Sequence, residues 1–373
     1  MVHKKLDWLK LRVYPLSLRN SMARLSDVLV NPDSPPPPCT PAVRQAVERC
    51  AQSIIAARQR RAAVVFMSGA HLVKNGGALL LINLMYQRWI THLAFNGASV
   101  IHDWEFASHG YSTENVAANV ATGCFGAWDE TGRYLHLALL AGGLDGLGFG
   151  ASVGRMIQDD GVKLPPASEL TDSISREPEH PSTPARADLL QAMRQHRLRD
   201  GLHTVRHPWK HNSIFGQAYR LGIPATVHPG IGYDIITNHP MFNGAAIGRA
   251  AQVDFQIFSA SVADLSGGVV LSVGSSVMAP QIFEKSLSCV NNLRLQEGLP
   301  TIRDHRIFVV DLQDNGGWDW SLGEPPKDHP AYYLRFMKSF SRMGGAMQYI
   351  QCDNVLFLHN LLWTLNQEMG ADE

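Results

Sequence analysis

Four stretches of this 373-residue chain combine residue types that could act on a ligand. His228-Pro229-Gly230-Ile231-Gly232-Tyr233-Asp234, followed by Asn238-His239-Pro240, gathers two histidines and a carboxylate within a dozen residues. Imidazoles exchange protons near neutral pH and carboxylates hold cations, so the stretch suits a general base, a cation site or a metal ligand; a histidine that only hydrogen-bonds a turn is the plain alternative. Asp311, Asp314 and Asp319 share a second stretch with Trp318 and Trp320. Carboxylates pair the charge of an amine and an indole face adds about 0.5–2 kcal/mol of cation–π attraction; the alternative is a solvated acidic loop with tryptophans packed beneath it. In the third, residues 267–276, a valine-rich run enters Gly274-Ser275-Ser276, where backbone amides could meet an anion or a serine could simply cap a helix. In the fourth, Cys352-Asp353-Asn354, Asp353 could hold a ribose hydroxyl or cap the following helix.

The elements that would position these residues alternate. Residues 64–66 are a β-branched run that breaks at Ser68-Gly69-Ala70 into apolar residues at helical spacing, 72–85, and then a second strand at 91–95. Further strand-like runs at 224–227, 268–273, 306–311 and 347–351 are separated by helix-like segments. The expected fold is therefore α/β: a doubly wound, mainly parallel sheet with helices on both faces. Such sheets bind ligands at the carboxyl ends of their strands. Ser68, Gly69, Asn96, Gly97, Ala98 and Ser99 are accordingly the expected cradle of a nucleotide or other anion, with Asp353 and Asn354 beside them. Ser112-Thr113-Glu114 reads as a helix start, and the glycine-dense residues 141–150 as a helix connection rather than a phosphate loop, since no strong β run precedes them. Residues 1–41 read as an arm ending in a proline-rich spacer, and 42–373 as a single domain with an exposed insertion near 158–186.

Thirty-three basic and 33 acidic residues give no net charge, which points away from nucleic acid and anionic membranes and toward small molecules or other subunits. Five cysteines without a CxxC pair fit a reduced cytoplasm better than a disulfide framework or a zinc site, and no resident metal is expected. No membrane-length apolar segment is present. GxGxxG, Walker, GxSxG and HExxH motifs are all absent.

The order of the loops, over residues 64–365, resembles the deoxyhypusine synthase family. The resemblance rests on Ser68 with His71-Leu72-Val73-Lys74-Asn75-Gly76, on Asn96-Gly97-Ala98-Ser99 followed by His102-Asp103, on Tyr233-Asp234 through His239, on Gly267-Gly268-Val269-Val270, and on Cys352-Asp353-Asn354. It implies an NAD-binding doubly wound fold, a homotetramer with sites at subunit interfaces, and a polyamine substrate. The chain departs from the family pattern where it matters chemically. Leu271 and Ser272 stand where the family's imine-forming lysine follows Gly-Gly-Val-Val, and Ile101 and His102 replace two acidic residues. Only an amine forms a Schiff base with the aminobutyl aldehyde, so the usual covalent intermediate requires a substitute such as Lys285 or Lys74. The resulting expectation is an NAD-dependent transferase or oxidoreductase acting on a polyamine or other amine without that intermediate. Asp234, Asp314, Asp319 and Trp318 would hold the cationic substrate, while His102, His228 and His239 would move protons. The alternatives are a non-catalytic nucleotide-binding protein that keeps only the fold, and a hydrolase or transferase assisted by a metal at His228, Asp234 and His239.

Overall fold

The computed structural model describes residues 3–274 and 276–371, without the side chains of 369–371; Ser275, one of the expected loop serines, lies outside the described residues. Where the sequence reading has one domain after an arm, the chain groups into two compact units built from interleaved segments. The first comprises Met1–Asp27, Val100–Arg220 and Pro229–Asp254, the second Val28–Ser99, Leu221–His228 and Phe255–Glu373.

The second unit holds the expected sheet. Its strands are β1 (Val64–Ser68), β2 (His92–Asn96), β3 (Ala225–His228), β4 (Val269–Val273), β5 (Arg306–Asp311) and β6 (Ala346–Gln351). They pair in parallel throughout, in the order β3-β2-β1-β4-β5-β6. This is the order of doubly wound dinucleotide-binding sheets, and it reverses between β1 and β4. Every residue of those two central strands is buried, as strands covered on both faces must be. Side chains alternate along a strand. Val65 and Met67 of β1, Val270 of β4 and Val309 of β5 therefore join one cluster with Phe258, Phe283 and Phe340. The other face is covered by helices that pack on one another: α1 (Pro41–Gln59), α3 (Ala78–Tyr86) and α5 (Asn354–Ala371). Thr40 caps α1 with its hydroxyl and Pro41 opens its first turn, which is how the proline-rich spacer ends.

The single helix expected after β1 is broken in two, α2 (Ala70–Lys74) and α3. Gly76 lies at φ +85°, and a Cβ there would sit 1.8 Å from the carbonyl oxygen of Val28. Only glycine lets the strap at 28–30 cross so closely, and the strap is held by a Val30 amide donating to the Gly76 carbonyl at 3.1 Å. The helix after β4 is uninterrupted: α4 (Met278–Gln296).

The first unit is mainly helical. The residues expected to start a helix at 112–114 do not: Tyr111–Ser112 pairs antiparallel with Ala23–Arg24, Thr113 has φ +70°, and the helix Val116–Thr122 is capped by Asn115. Glu114 turns inward instead and accepts from the Gly126 amide, the Trp128 indole and Asn119. The glycine-dense segment is a helix connection, as expected, joining Asp129–Gly142 to Phe149–Gln158. The expected insertion carries a short strand, Gly161–Leu164, and the helices Ala167–Arg176 and Thr183–His196. The N-terminal residues are fixed by the buried Arg19, whose guanidinium meets both oxygens of Glu105 at 2.7 and 2.8 Å. Among the described residues no single helix is long and apolar enough to cross a membrane.

Candidate functional site

The switch in strand order puts the ends of β1 and β4 where a ligand can enter between diverging connections. Ser68 ties these ends together, donating to the Val273 carbonyl at 2.7 Å. Immediately beyond, Gly69 leaves a gap. A Cβ on it would lie 3.3 Å from the Ser276 Cβ and 3.5 Å from the Asn96 Nδ2, so Gly69, Asn96 and Ser276 converge on one spot. Ser276 is buried, and its hydroxyl has no hydrogen-bond partner among the described residues. It stands two residues before α4, a 19-residue helix whose N-cap residue, Val277, offers no side-chain cap. The free amides of that first turn favour negative charge. Next to it Gly274 adopts φ +92°, with a Cβ position only 3.0 Å from the Asn354 Nδ2, and the Asn354 Oδ1 is a second buried polar atom without a partner. Native proteins leave few buried polar atoms unsatisfied, and two of those without a partner among the described residues lie together at this sheet edge.

Asn96, the last residue of β2, accepts from the Ser99 amide at 3.1 Å and the Ser99 hydroxyl at 2.7 Å through its Oδ1. Its amide nitrogen is thereby turned toward Gly69. Gly97 and Ala98 form the first helical turn after β2. Asp353 is exposed at the end of β6, where its Oδ1 accepts from the Val355 and Leu356 amides, both at 2.9 Å. It is the cap of α5, the plainer of its two readings. The acidic-residue position of a dinucleotide sheet, the end of the second strand, is occupied by Asn96 instead.

The expected proton carriers are each engaged within their own unit. His228, at the end of β3, shares the Thr226 hydroxyl (3.0 Å) with His92 (2.9 Å), and both rings meet Phe258 edge-on. Burial lowers the pKa of His228 to about 4 and that of His92 to about 3, so this ladder is neutral. His102 lies in the first unit with its Nδ1 2.7 Å from the Ser112 hydroxyl, which itself donates to Glu105 at 2.6 Å. A hydroxyl has one proton, so His102 donates to it; the ring belongs to the buried Arg19–Glu105 network, which Thr131 completes. His239, also in the first unit, accepts from the Met241 amide through Nδ1 and places Nε2 3.5 Å from Asp129. A Cβ on Gly132 would lie 2.4 Å from this ring, so glycine there lets the imidazole pack on the helix.

The expected amine-binding carboxylates are likewise engaged locally. Asp234 accepts from the Gly230 amide at 2.8 Å, closing its own loop, and burial raises its pKa to about 6. In the other unit Asp314 accepts from the Gly316 amide and Asp319 from the Ser321 amide and hydroxyl, all as turn-closing contacts. Trp318 donates to the Gly323 carbonyl and stacks near His329. Among the described residues no group of three His, Cys, Asp or Glu side chains could hold a metal ion. The polar groups that remain open at this edge among the described residues, Ser276 Oγ and Asn354 Oδ1, were visible in the sequence only as a serine after a valine run and an asparagine beside an aspartate.

No family model matches the chain, and no curated protein sequence matches it. Among solved structures it is similar to ArgZ, an arginine dihydrolase from the ornithine–ammonia cycle in cyanobacteria, at 14% identity and TM-score 0.41, over 87% of this chain and 33% of that one. It is similar to AgrE in a ternary complex with ornithine and NAD+, at 14% identity and TM-score 0.43, over 89% and 34%. A conserved putative LOR/SDH protein from Methanococcus maripaludis S2 matches at 14% identity and TM-score 0.41, over 96% and 75%. The chain thus spans about a third of the length of ArgZ and AgrE. None of these is a deoxyhypusine synthase, and the expected membership of that family is corrected, together with its amine-transfer activity and its polyamine substrate. The structure supplies the physical reason. Leu271 and Ser272 are wholly buried within β4, opposite Phe66 and Met67 of β1, where no lysine amine could reach a substrate. Lys285 is exposed on α4 and paired with its neighbour Glu284.

Proposed function

We propose that the chain binds a nicotinamide dinucleotide at the carboxyl edge of its parallel sheet. The observation that carries this reading is the convergence at the β1/β4 switch point of two glycines whose Cβ atoms would fill the cleft and two buried, unpartnered polar atoms, Ser276 Oγ and Asn354 Oδ1. Gly69 and Gly274 would let the backbone approach the pyrophosphate, and Ser276 with the first amides of α4 would meet its charge. Asn96, at the end of β2, would face the adenosine ribose. Gly97, Ala98 and Ser99 would support it by holding that turn, Ser68 would keep β1 and β4 in register, and Asp353 would hold the start of α5 so that Asn354 stays beside Gly274. A bound nicotinamide supplies a hydride donor or acceptor. Around it the chain's own part is to exclude water and keep the polar edge in place.

Calorimetric titration of the full chain with NAD+ tests the reading. Saturable binding with a dissociation constant in the micromolar range is expected. It should weaken at least tenfold in Gly69→Val, whose side chain would occupy the gap between Asn96 and Ser276. No heat of binding at millimolar NAD+ would overturn it. Ornithine and arginine, with which AgrE has been crystallised, are the first small molecules to add to the NAD+-loaded protein.

A further inference from the structure

We infer that the same edge accepts a 2′-phosphorylated ribose as readily as a plain one, because Asn96 stands where a carboxylate would refuse the phosphate. The inference rests on the dinucleotide reading and concerns which dinucleotide is taken. In doubly wound sheets an acid at the end of the second strand accepts a hydrogen bond from the ribose 2′-hydroxyl and repels a 2′-phosphate, whereas sites committed to the phosphate place an arginine there. The chain has neither. The Oδ1 of Asn96 is already used twice by Ser99, which leaves its NH2 group to face a ligand. That group is a donor only, and both a hydroxyl oxygen and a phosphate oxygen accept from it.

The surroundings agree with this assignment. Asn96 pairs across the sheet with His228. Neither β2 with its following turn (residues 92–99), nor β3 (residues 225–228), nor the turn after β1 (residues 68–74) contains an aspartate or glutamate. The last of these carries His71 and Lys74 instead. Asp311 and Asp353 end β5 and β6, strands that the order of the sheet sets beyond β1 and β4 from Asn96. The segments that flank Asn96 in the sheet thus bring no carboxylate of their own, the nearest acidic influence on His71 being Asp311 at the end of β5, and without an arginine they have no guanidinium fork to demand a phosphate.

Parallel titrations of the full chain with NAD+ and NADP+ test the inference, with Asn96→Asp as the variant. An aspartate can accept the same two hydrogen bonds from Ser99, so the turn is retained, which the thermal unfolding midpoint verifies. The expected result is dissociation constants for the two dinucleotides within tenfold of each other in the wild type, and a shift of at least tenfold against NADP+ relative to NAD+ in Asn96→Asp. A wild-type preference beyond tenfold in either direction overturns the inference and leaves the dinucleotide reading standing. An unchanged ratio in a folded Asn96→Asp removes Asn96 as the discriminating residue. Binding of neither dinucleotide overturns both readings together. If the variant does not fold, the wild-type pair of titrations decides alone.

Discussion

The two regions richest in polar side chains are built in opposite ways. Around Glu105 in the first unit the carboxylate is answered several times over: Arg19 takes both of its oxygens, Ser112 and Thr131 donate to them, and His102 donates to Ser112. At the β1/β4 edge of the second unit the side chains are small and uncharged, and two buried polar atoms are answered by nothing among the described residues. The charge-rich region is therefore a structural knot, and the charge-poor one is the edge proposed to bind a ligand. A fully satisfied network rigidifies, whereas an unsatisfied one is stable only if something else, here a ligand, completes it.

Breaking the knot should have the largest effect. Arg19→Ala leaves Glu105 as a wholly buried carboxylate without its cation, and removal of one partner from a buried pair costs about 3–5 kcal/mol. Denaturant unfolding should show that loss. Arg19→Met combined with Glu105→Leu should recover a large part of it, because no uncompensated charge remains. A loss below about 1 kcal/mol for Arg19→Ala would mean that the pair is weak and that the N-terminal residues are held by packing alone.

Acid should then separate the two units. In the second, burial lowers His92 to about 3 and His228 and His305 to about 4. In the first, His136 and His207 fall to about 4, but Asp103 and Asp234 rise to about 6. A histidine kept neutral in the fold contributes stability that is present above its unfolded value near 6.5 and lost as pH falls toward 4. A carboxylate with a raised pKa acts oppositely: its contribution is present below about 4 and lost as pH rises through 6. Between pH 6.5 and 5 the two effects oppose each other in the first unit, and the second has only the loss, up to about 1.4 kcal/mol per pH unit for each histidine. Burial lowers His109 and His196 in the first unit and His71 in the second as well. Hydrogen exchange at pH 7 and pH 5, corrected for intrinsic rates, should show protection falling further in β2, β3 and β5 than in the helices of the first unit. Equal falls would show that the coupling of the two units outweighs their titration.

How far the sequence could be read follows from the same contrast. All six strands are legible, most of them because buried parallel strands are continuous apolar runs, and 306–311 agrees with β5 to the residue, whereas the order of the strands had no local signal. The break between α2 and α3 was not legible, since the close approach of Val28 to Gly76 is a tertiary contact with no local signal. At the site, reading by residue type favoured histidines and aspartates, and the fold engages most of these in caps and turns: Asp353 at α5, Asp319 at Ser321, Asp234 at Gly230. A carboxylate that caps a helix and one that binds an amine look alike in sequence. What distinguishes them is whether an amide of the same chain lies within 3 Å, and only the folded backbone decides that.

The sharpest test of the comparison is also the smallest in stability. Ser276→Ala removes a buried hydroxyl that has no partner, so the folded protein loses no hydrogen bond and is relieved of a desolvated group that costs about 1–3 kcal/mol. Thermal unfolding of the ligand-free variant should be unchanged or slightly higher. Its affinity for NAD+ should fall about tenfold, equivalent to about 1.4 kcal/mol, because the hydroxyl's missing partner is the ligand. A variant that is both less stable and equal in affinity would show that Ser276 serves the fold, as its counterparts around Glu105 do, and the distinction between the two regions would fail at the residue on which it most depends.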